Sequence, residues 1–162
     1  RCKMLEMNVI GISRHGRPVF GIDSVCTSKG LDSVLPAADF VVLAAPLTVE
    51  TRNLFDRRLQ ALTKPGAGIV NIGRAATMDY RALVENLQSG QFSGAILDVF
   101  DEEPLPEGSS LWHPPNLLVT PHISADDGNT YVEMTLDLVF GNLKKHLGRK
   151  PLNNVVDPVL GY

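Results

Sequence analysis

The stretch "GAGIVNIGRAATMDYRALVENLQSG", residues 66–90, decides how the rest of the chain is read. Its first part, "AGIVNIG" (67–73), is a short apolar run without strict alternation, as expected of a strand covered on both faces. Its second part, "MDYRALVENLQSG" (78–90), has the marks of a helix. Asp79 can cap the N-terminus, Leu83 and Leu87 share a face at i,i+4, and Gly90 offers a stop. A buried strand handed to an amphipathic helix is half of a βαβ unit.

The same rhythm extends outward. Apolar, β-rich runs recur at "NVIGIS" (8–13), "DFVVLAA" (39–45), "GAILDVF" (94–100) and "NLLVTPH" (116–122). Between them, "TVETRNLFDRRLQAL" (48–62) is expected to be a second helix, with Leu54 and Phe55 on one side and "KPG" ending it. A shorter turn or helix fits "SKGLDSVLPAAD" (28–39). A last long helix is expected over roughly 127–147, with Met134, Leu138 and Leu143 facing inward and Gly148 at its end. "DEEPLPEGSSLWHPPN" (101–116) carries four prolines and reads as an irregular loop. Together these predict an α/β fold with one doubly wound parallel sheet and helices on both faces. In such sheets chemistry gathers at the carboxyl ends of the strands, where Asn71, Gly73, Arg74, Asp98, Pro121 and His122 fall.

Composition narrows the function classes. A 162-residue chain, 44% hydrophobic and 20% charged, describes a globular domain with a real core. The net charge is -3, and Lys and Arg form no stripe, so a nucleic-acid partner is poorly supported. The apolar stretches end far short of the roughly 20 residues of a membrane span, so no membrane partner is expected. Two cysteines, Cys2 and Cys26, make a reducing compartment, and hence the cytoplasm, the default. The four histidines show no metal-ligand spacing with them, and no metal site is predicted. The opening "RCKMLEMNVIGIS" (1–13) reads as the tail of a helix running into a strand, so residues upstream are expected.

His122 sits in "VTPHISADDGN" (119–129), just past an apolar run. Alone it reads as a hydrogen-bonded structural histidine as readily as a base. A neutral imidazole can take a hydroxyl proton and return it if a carboxylate holds its other nitrogen. Glu103, from the loop after 94–100, can supply that carboxylate, although singly it reads as a solvated loop acid. Arg74 follows 67–73 and offers a planar fork suited to a carboxylate, although singly it reads as a cation closing a turn. One base, one acid and one arginine at successive strand ends are less easily accidental.

Four stretches in this order, "AAPLTVETRNLF", "GAGIVNIGRAATMDYRAL", "GAILDVFDEEPLP" and "NLLVTPHIS", carry a resemblance. The chain resembles the coenzyme-binding domain of the D-isomer-specific 2-hydroxyacid dehydrogenases. That family includes D-3-phosphoglycerate dehydrogenase, formate dehydrogenase and the glyoxylate/hydroxypyruvate reductases. The closing "GRKPLNNVV" is similar to the family's tail. The resemblance implies a Rossmann-like fold and hydride transfer between NAD(P) and a D-2-hydroxyacid/2-oxoacid pair. It implies Arg74 as the substrate-carboxylate arginine, Glu103 as the supporting acid and His122 as the general acid/base. Asp98 resembles the acid at the nicotinamide end of the cofactor. Pro46, Thr48 and Ile72 fall where the family lines the cofactor cleft, and Thr51 resembles a cleft or capping residue. A homodimer formed by cofactor domains is implied as well, partly through the loop and helix after "DVFDEEP".

The chain departs from the family in three places. Ala75 follows Arg74 where the family commonly has Gly, and Ser124-Ala125-Asp126-Asp127 replaces a common Gly-Ala-Ser/Thr after the His-Ile pair. No G-x-G-x-x-G precedes 8–13, although such a loop presents a helix N-terminus to the pyrophosphate. Residues 1–150 are therefore expected to be a partial NAD(P)-binding domain lacking its Gly-rich βα unit, and 151–162 a tail that in the family returns toward the substrate domain. The chain alone is expected to be inactive and to bind dinucleotide weakly. At the end of the 8–13 run, where an NAD-preferring fold places an acid, stand Ser13 and Arg14, with Arg17 close by. This favours NADP over NAD. Two other readings stay open: a cofactor-sensing, corepressor-like interaction protein, and a non-binding structural fragment.

Overall fold

The computed structural model describes residues 1–125 and 127–159. Six strands and four α-helices follow one another as β1 (Ile10–Ile12), β2 (Ser24–Cys26), α1 (Leu31–Val34), β3 (Phe40–Leu43), α2 (Arg57–Leu62), β4 (Ala67–Asn71), α3 (Tyr80–Gln88), β5 (Phe92–Leu97), β6 (Leu117–Val119) and α4 (Tyr131–Leu147). Every strand pairing is parallel. The architecture is α/β and Rossmann-like, as expected. The expected single sheet is instead two: β1 pairs with β2, and β3-β4-β5-β6 form a second sheet in that order.

The four-stranded sheet has two unlike faces. Ile69, Ala95 and Leu97 are buried on one side, packed with Leu59 of α2 and with Leu83 and Leu87 of α3. On the other side Phe40, Val42, Ile96 and Leu118 are exposed. The register aligns Val42 with Val70, Val70 with Ile96 and Ile96 with Leu118, so they form one stripe across the strands. The expectation of helices on both faces is thus corrected. Among the described residues, burial is confined to one face.

Local chemistry explains most element ends. The Asp79 carboxylate accepts the Ala82 N–H and starts α3, while Gly90 follows its end at φ +77°, a conformation that costs glycine little. The expected helix over 48–62 shortens to α2. Asn53 adopts a left-handed φ of 52°, and the N–H groups of Asn53 and Phe55 bond to the carbonyls of Ala76 and Thr77 instead of to a preceding turn. The Asp56 carboxylate then caps α2 by accepting the Leu59 N–H. The expected inward face of α4 is corrected too: Met134 and Leu143 are exposed, Leu138 is half-buried, and the helix buries no residue. Gly148 does end it. Strand β2 has no counterpart in the sequence reading, because three residues carry too little pattern to register. The segment 28–37 forms the expected short turns around α1, and 101–116 is irregular apart from one short turn at Ser110–Trp112. Of the tail, 160–162 lie outside the described residues, as does Asp126. Among the described residues no helix is long and apolar enough to cross a membrane.

Candidate active site

Strands β4, β5 and β6 are adjacent and parallel, so their carboxyl ends open onto one edge of the sheet. Asp98 follows β5 directly, and Arg74 and His122 each lie three residues past the ends of β4 and β6. Residues 99–103 loop back from β5, and the Phe100 N–H donates to Glu103 Oε1 at 2.9 Å. The other carboxylate oxygen, Oε2, lies 2.8 Å from His122 Nδ1. The side chains are 45% exposed for His122 and 37% for Glu103, so the pair is open to a reactant. The His122 hydrogen bond, the Phe100 N–H and the nearby Arg74 charge hold the Glu103 carboxyl below the usual carboxylate range. Above that range Glu103 is ionised and fixes the imidazole by its Nδ1 side.

His122 stands at a φ of 57°, in the left-handed region that a non-glycine residue rarely occupies. Asp98 holds it there. Its carboxylate is 1% exposed and accepts Thr120 Oγ1–H at 2.6 Å, the Ile123 N–H at 2.9 Å and the Ser124 N–H at 2.9 Å. Burial alone would raise the Asp98 pKa, but the bonds from Ser124, Thr120 and Ile123 outweigh it and hold the group well below its ordinary value. Asp98 is thus an anion pinned under the His122 turn.

Arg74 begins a short turn in which the Thr77 hydroxyl donates to the Arg74 carbonyl at 2.7 Å. Its guanidinium is exposed and one nitrogen donates to the Gly73 carbonyl at 2.7 Å. Gly73 is buried, and a Cβ there would lie 2.8 Å from the Ala45 carbonyl oxygen, so only glycine lets the two strand-end backbones approach this closely. Ala75, at the departure from the family pattern, is buried in the same turn.

The remaining predicted residues lie along the same edge and at β1. Pro46 and Ile72 are exposed beyond β3 and β4. Thr48 and Thr51 cap one another: the Thr48 N–H donates to Thr51 Oγ1 at 2.7 Å, and the Thr51 N–H to Thr48 Oγ1 at 3.2 Å. The Thr51 hydroxyl also donates to the Pro46 carbonyl at 2.7 Å. Beyond β1, the Ser13 hydroxyl accepts the Gly16 N–H at 3.2 Å, and Arg17 is exposed. Arg14 is engaged: its Nε and Nη2 donate to Glu50 Oε2 at 2.9 and 2.7 Å. The structure brings Glu103 and His122 into contact and sets Arg74 near them.

Thr120 and Tyr80 are functional neighbours that sequence reasoning missed. Nothing local in the sequence marks either, because their partners lie 22 and 19 residues away. Beside Glu103 an apolar cleft of about 550 Å³ is lined by Phe100, Leu105, Trp112 and Val119.

Known proteins resemble this chain in sequence and fold. The sequence model of the D-isomer specific 2-hydroxyacid dehydrogenase NAD-binding domain matches residues 1–124. Glyoxylate/hydroxypyruvate reductase B of Citrobacter koseri is 43% identical over 128 residues, which cover 79% of this chain and 39% of that protein. An NADPH-dependent glyoxylate/hydroxypyruvate reductase of Sinorhizobium meliloti, solved with NADP and sulfate, superposes with a TM-score of 0.90 at 34% identity, covering 99% of this chain and 51% of the other. A D-isomer specific 2-hydroxyacid dehydrogenase of Xanthobacter autotrophicus, solved with NADPH, gives 0.88 at 35% identity over 96% and 63%. The chain spans about half the length, or less, of the curated relatives it matches. Since the match takes in β1 through β6 and the whole Arg74–Glu103–His122 edge, the chain belongs to the D-isomer specific 2-hydroxyacid dehydrogenase NAD-binding domain family.

Proposed function

We propose that the chain is the cofactor-binding part of an NAD(P)-dependent oxidoreductase that interconverts a D-2-hydroxyacid and its 2-oxoacid. The observation that carries this is the His122 Nδ1–Glu103 Oε2 contact of 2.8 Å at the carboxyl edge of a parallel sheet. With Nδ1 held, His122 Nε2 is the atom that takes the proton from the substrate hydroxyl in oxidation and returns it to the carbonyl oxygen in reduction. Glu103 stabilises the imidazolium that forms. The Arg74 guanidinium, released from the Gly73 carbonyl, binds the substrate carboxylate and orients C2. When bound, NAD(P) supplies the hydride acceptor and donor at nicotinamide C4.

The residues at this edge fit a dinucleotide. Pro46 and Ile72 offer exposed apolar surface, next to strand ends whose close approach at Gly73 and Ala45 leaves no room for a side chain. Asp98 is buried beneath His122 with both carboxylate oxygens occupied, so it supports this edge through the His122 turn and does not itself present a free oxygen. NADP is favoured over NAD, since relatives have been solved with NADPH and with NADP, and Ser13, Arg14 and Arg17 present no carboxylate at the end of β1. Glu50 neutralises Arg14, so a 2′-phosphate there competes with an ion pair. Residues 1–150 form the nucleotide-binding part and 151–162 a tail. A homodimer fits the exposed apolar faces of the sheet and of α4. The 162 residues alone do not turn over substrate, because they contain no G-x-G-x-x-G loop to seat the pyrophosphate.

Two measurements test this. Calorimetric titration of the 162-residue chain should give much weaker NADPH binding than a longer protein that contains it together with such a loop, and equal micromolar affinity would show that the loop is not needed. In that longer protein, His122→Ala should lower kcat for glyoxylate reduction on the order of 10²-fold or more. An unchanged kcat rejects the base.

A further inference from the structure

Tyr80 lies within the stretch "GAGIVNIGRAATMDYRAL" but has none of the roles assigned above, yet it sits between the two halves of the site. It is the first residue of α3, directly after the capping Asp79. Its hydroxyl donates to the Val99 carbonyl at 2.7 Å and accepts from Asn71 Nδ2 at 3.2 Å. Each of those partners leads to one half.

Asn71 is the last residue of β4 and is fully buried. Its Nδ2 also donates to the Arg74 carbonyl at 3.2 Å, and its Oδ1 accepts the Gly73 N–H at 3.1 Å, so its amide group shapes the turn that carries Arg74. On the other side, the Val99 carbonyl belongs to the same peptide group as the Phe100 N–H. That N–H holds Glu103 Oε1, and Glu103 Oε2 holds His122. A continuous path of hydrogen bonds and one peptide group therefore runs from Arg74 to His122, and the Tyr80 hydroxyl joins its two parts.

We propose that Tyr80 is a positioning residue whose hydroxyl sets the spacing between the Arg74 turn and the Glu103–His122 pair. The role in catalysis rests on the proposed function, whereas the mechanical coupling does not. The chemistry requires a group that donates and accepts at once, since the Val99 carbonyl needs a donor and Asn71 Nδ2 an acceptor. Phenylalanine would fill the same space and do neither. Burial, with Asp101 and Glu103 adding to it and Asn71 opposing, holds the Tyr80 phenol above its ordinary range, so it stays a donor wherever the site is used. Two loops on separate strands would otherwise move independently. A shared bond in a low-dielectric interior ties their motions together.

The experiment compares Tyr80→Phe with Thr77→Val. The second removes only the hydroxyl that braces the Arg74 carbonyl and leaves the Tyr80 link intact. Amide exchange is followed by NMR at Gly73 and at Phe100, with Ile69 and Ile96 in the strand interiors as references. Tyr80→Phe should speed exchange at both Gly73 and Phe100, by about tenfold, with the references unchanged. Thr77→Val should speed it on the Arg74 side alone. If Tyr80→Phe leaves Phe100 unchanged, or shifts all four amides together, the coupling is refuted. In a longer, active protein, Tyr80→Phe should raise KM for the 2-oxoacid several-fold while KM for NADPH holds, and a change in neither refutes the positioning role. A wild-type protein without oxidoreductase activity overturns the proposed function instead, and the exchange pattern still decides the coupling.

Discussion

Helices α3 and α4 are built on opposite terms. α3 has nine residues, is capped by Asp79, and buries Ala82, Leu83 and Leu87 against the sheet. α4 has seventeen residues, has no side-chain cap, and buries none, although Val139, Phe140 and Leu143 are all apolar. Length and hydrophobicity therefore do not decide which helix belongs to the core. What decides is whether the chain supplies a surface for the apolar stripe, since helical stability in proteins comes mostly from packing rather than propensity. The two faces of the sheet repeat the contrast, with Leu97 sealed on one side and Phe40 60% exposed on the other.

The strongest way to break this contrast is at Leu83, which is 0% exposed. Leu83→Ala should cost about 2–5 kcal/mol in urea unfolding, through lost transfer energy and a residual cavity. A loss below about 1 kcal/mol would mean that α3 is not the packed helix. The α3 cap should matter less. Asp79→Ala removes one charge-assisted N-cap bond and should cost about 1 kcal/mol by the same measurement, while Asp79→Asn should retain most of it. The smallest effect is expected on α4. At concentrations where the chain is monomeric, Phe140→Gln should change unfolding free energy by less than about 0.5 kcal/mol, because Phe140 is 56% exposed in the single chain. A drop larger than that, growing with protein concentration, would show that a second copy covers α4 in solution.

The same contrast separates what was legible in the residues from what was not. Asp79, Leu83, Leu87 and Gly90 announced α3 because caps and i,i+4 spacing are local signals. Met134, Leu138 and Leu143 announced α4 equally well, but not its exposure, which depends on what lies opposite. The 48–62 segment misled for a related reason. Its helical pattern was outcompeted by the bonds from Asn53 and Phe55 to the 76–77 backbone, which no window over 48–62 contains. At the site, Arg74, Glu103 and His122 were legible as residue types near strand ends, and the roles proposed for them came from the family resemblance.

By itself, the sequence determined the alternation of strand and helix, the parallel pairing that this alternation demands, and the placement of polar residues just past the strand ends. All of these follow from near-neighbour periodicity and capping chemistry. Only the tertiary structure decided the split into two sheets, the single covered face and the left-handed turn at His122 pinned by Asp98. It also decided the 2.8 Å meeting of His122 with Glu103 across 19 residues, and the Tyr80 link between Asn71 and Val99. Each of these is a bond or an exposure set by groups far apart in the chain, whose free energy exists only once the strands have brought those groups together.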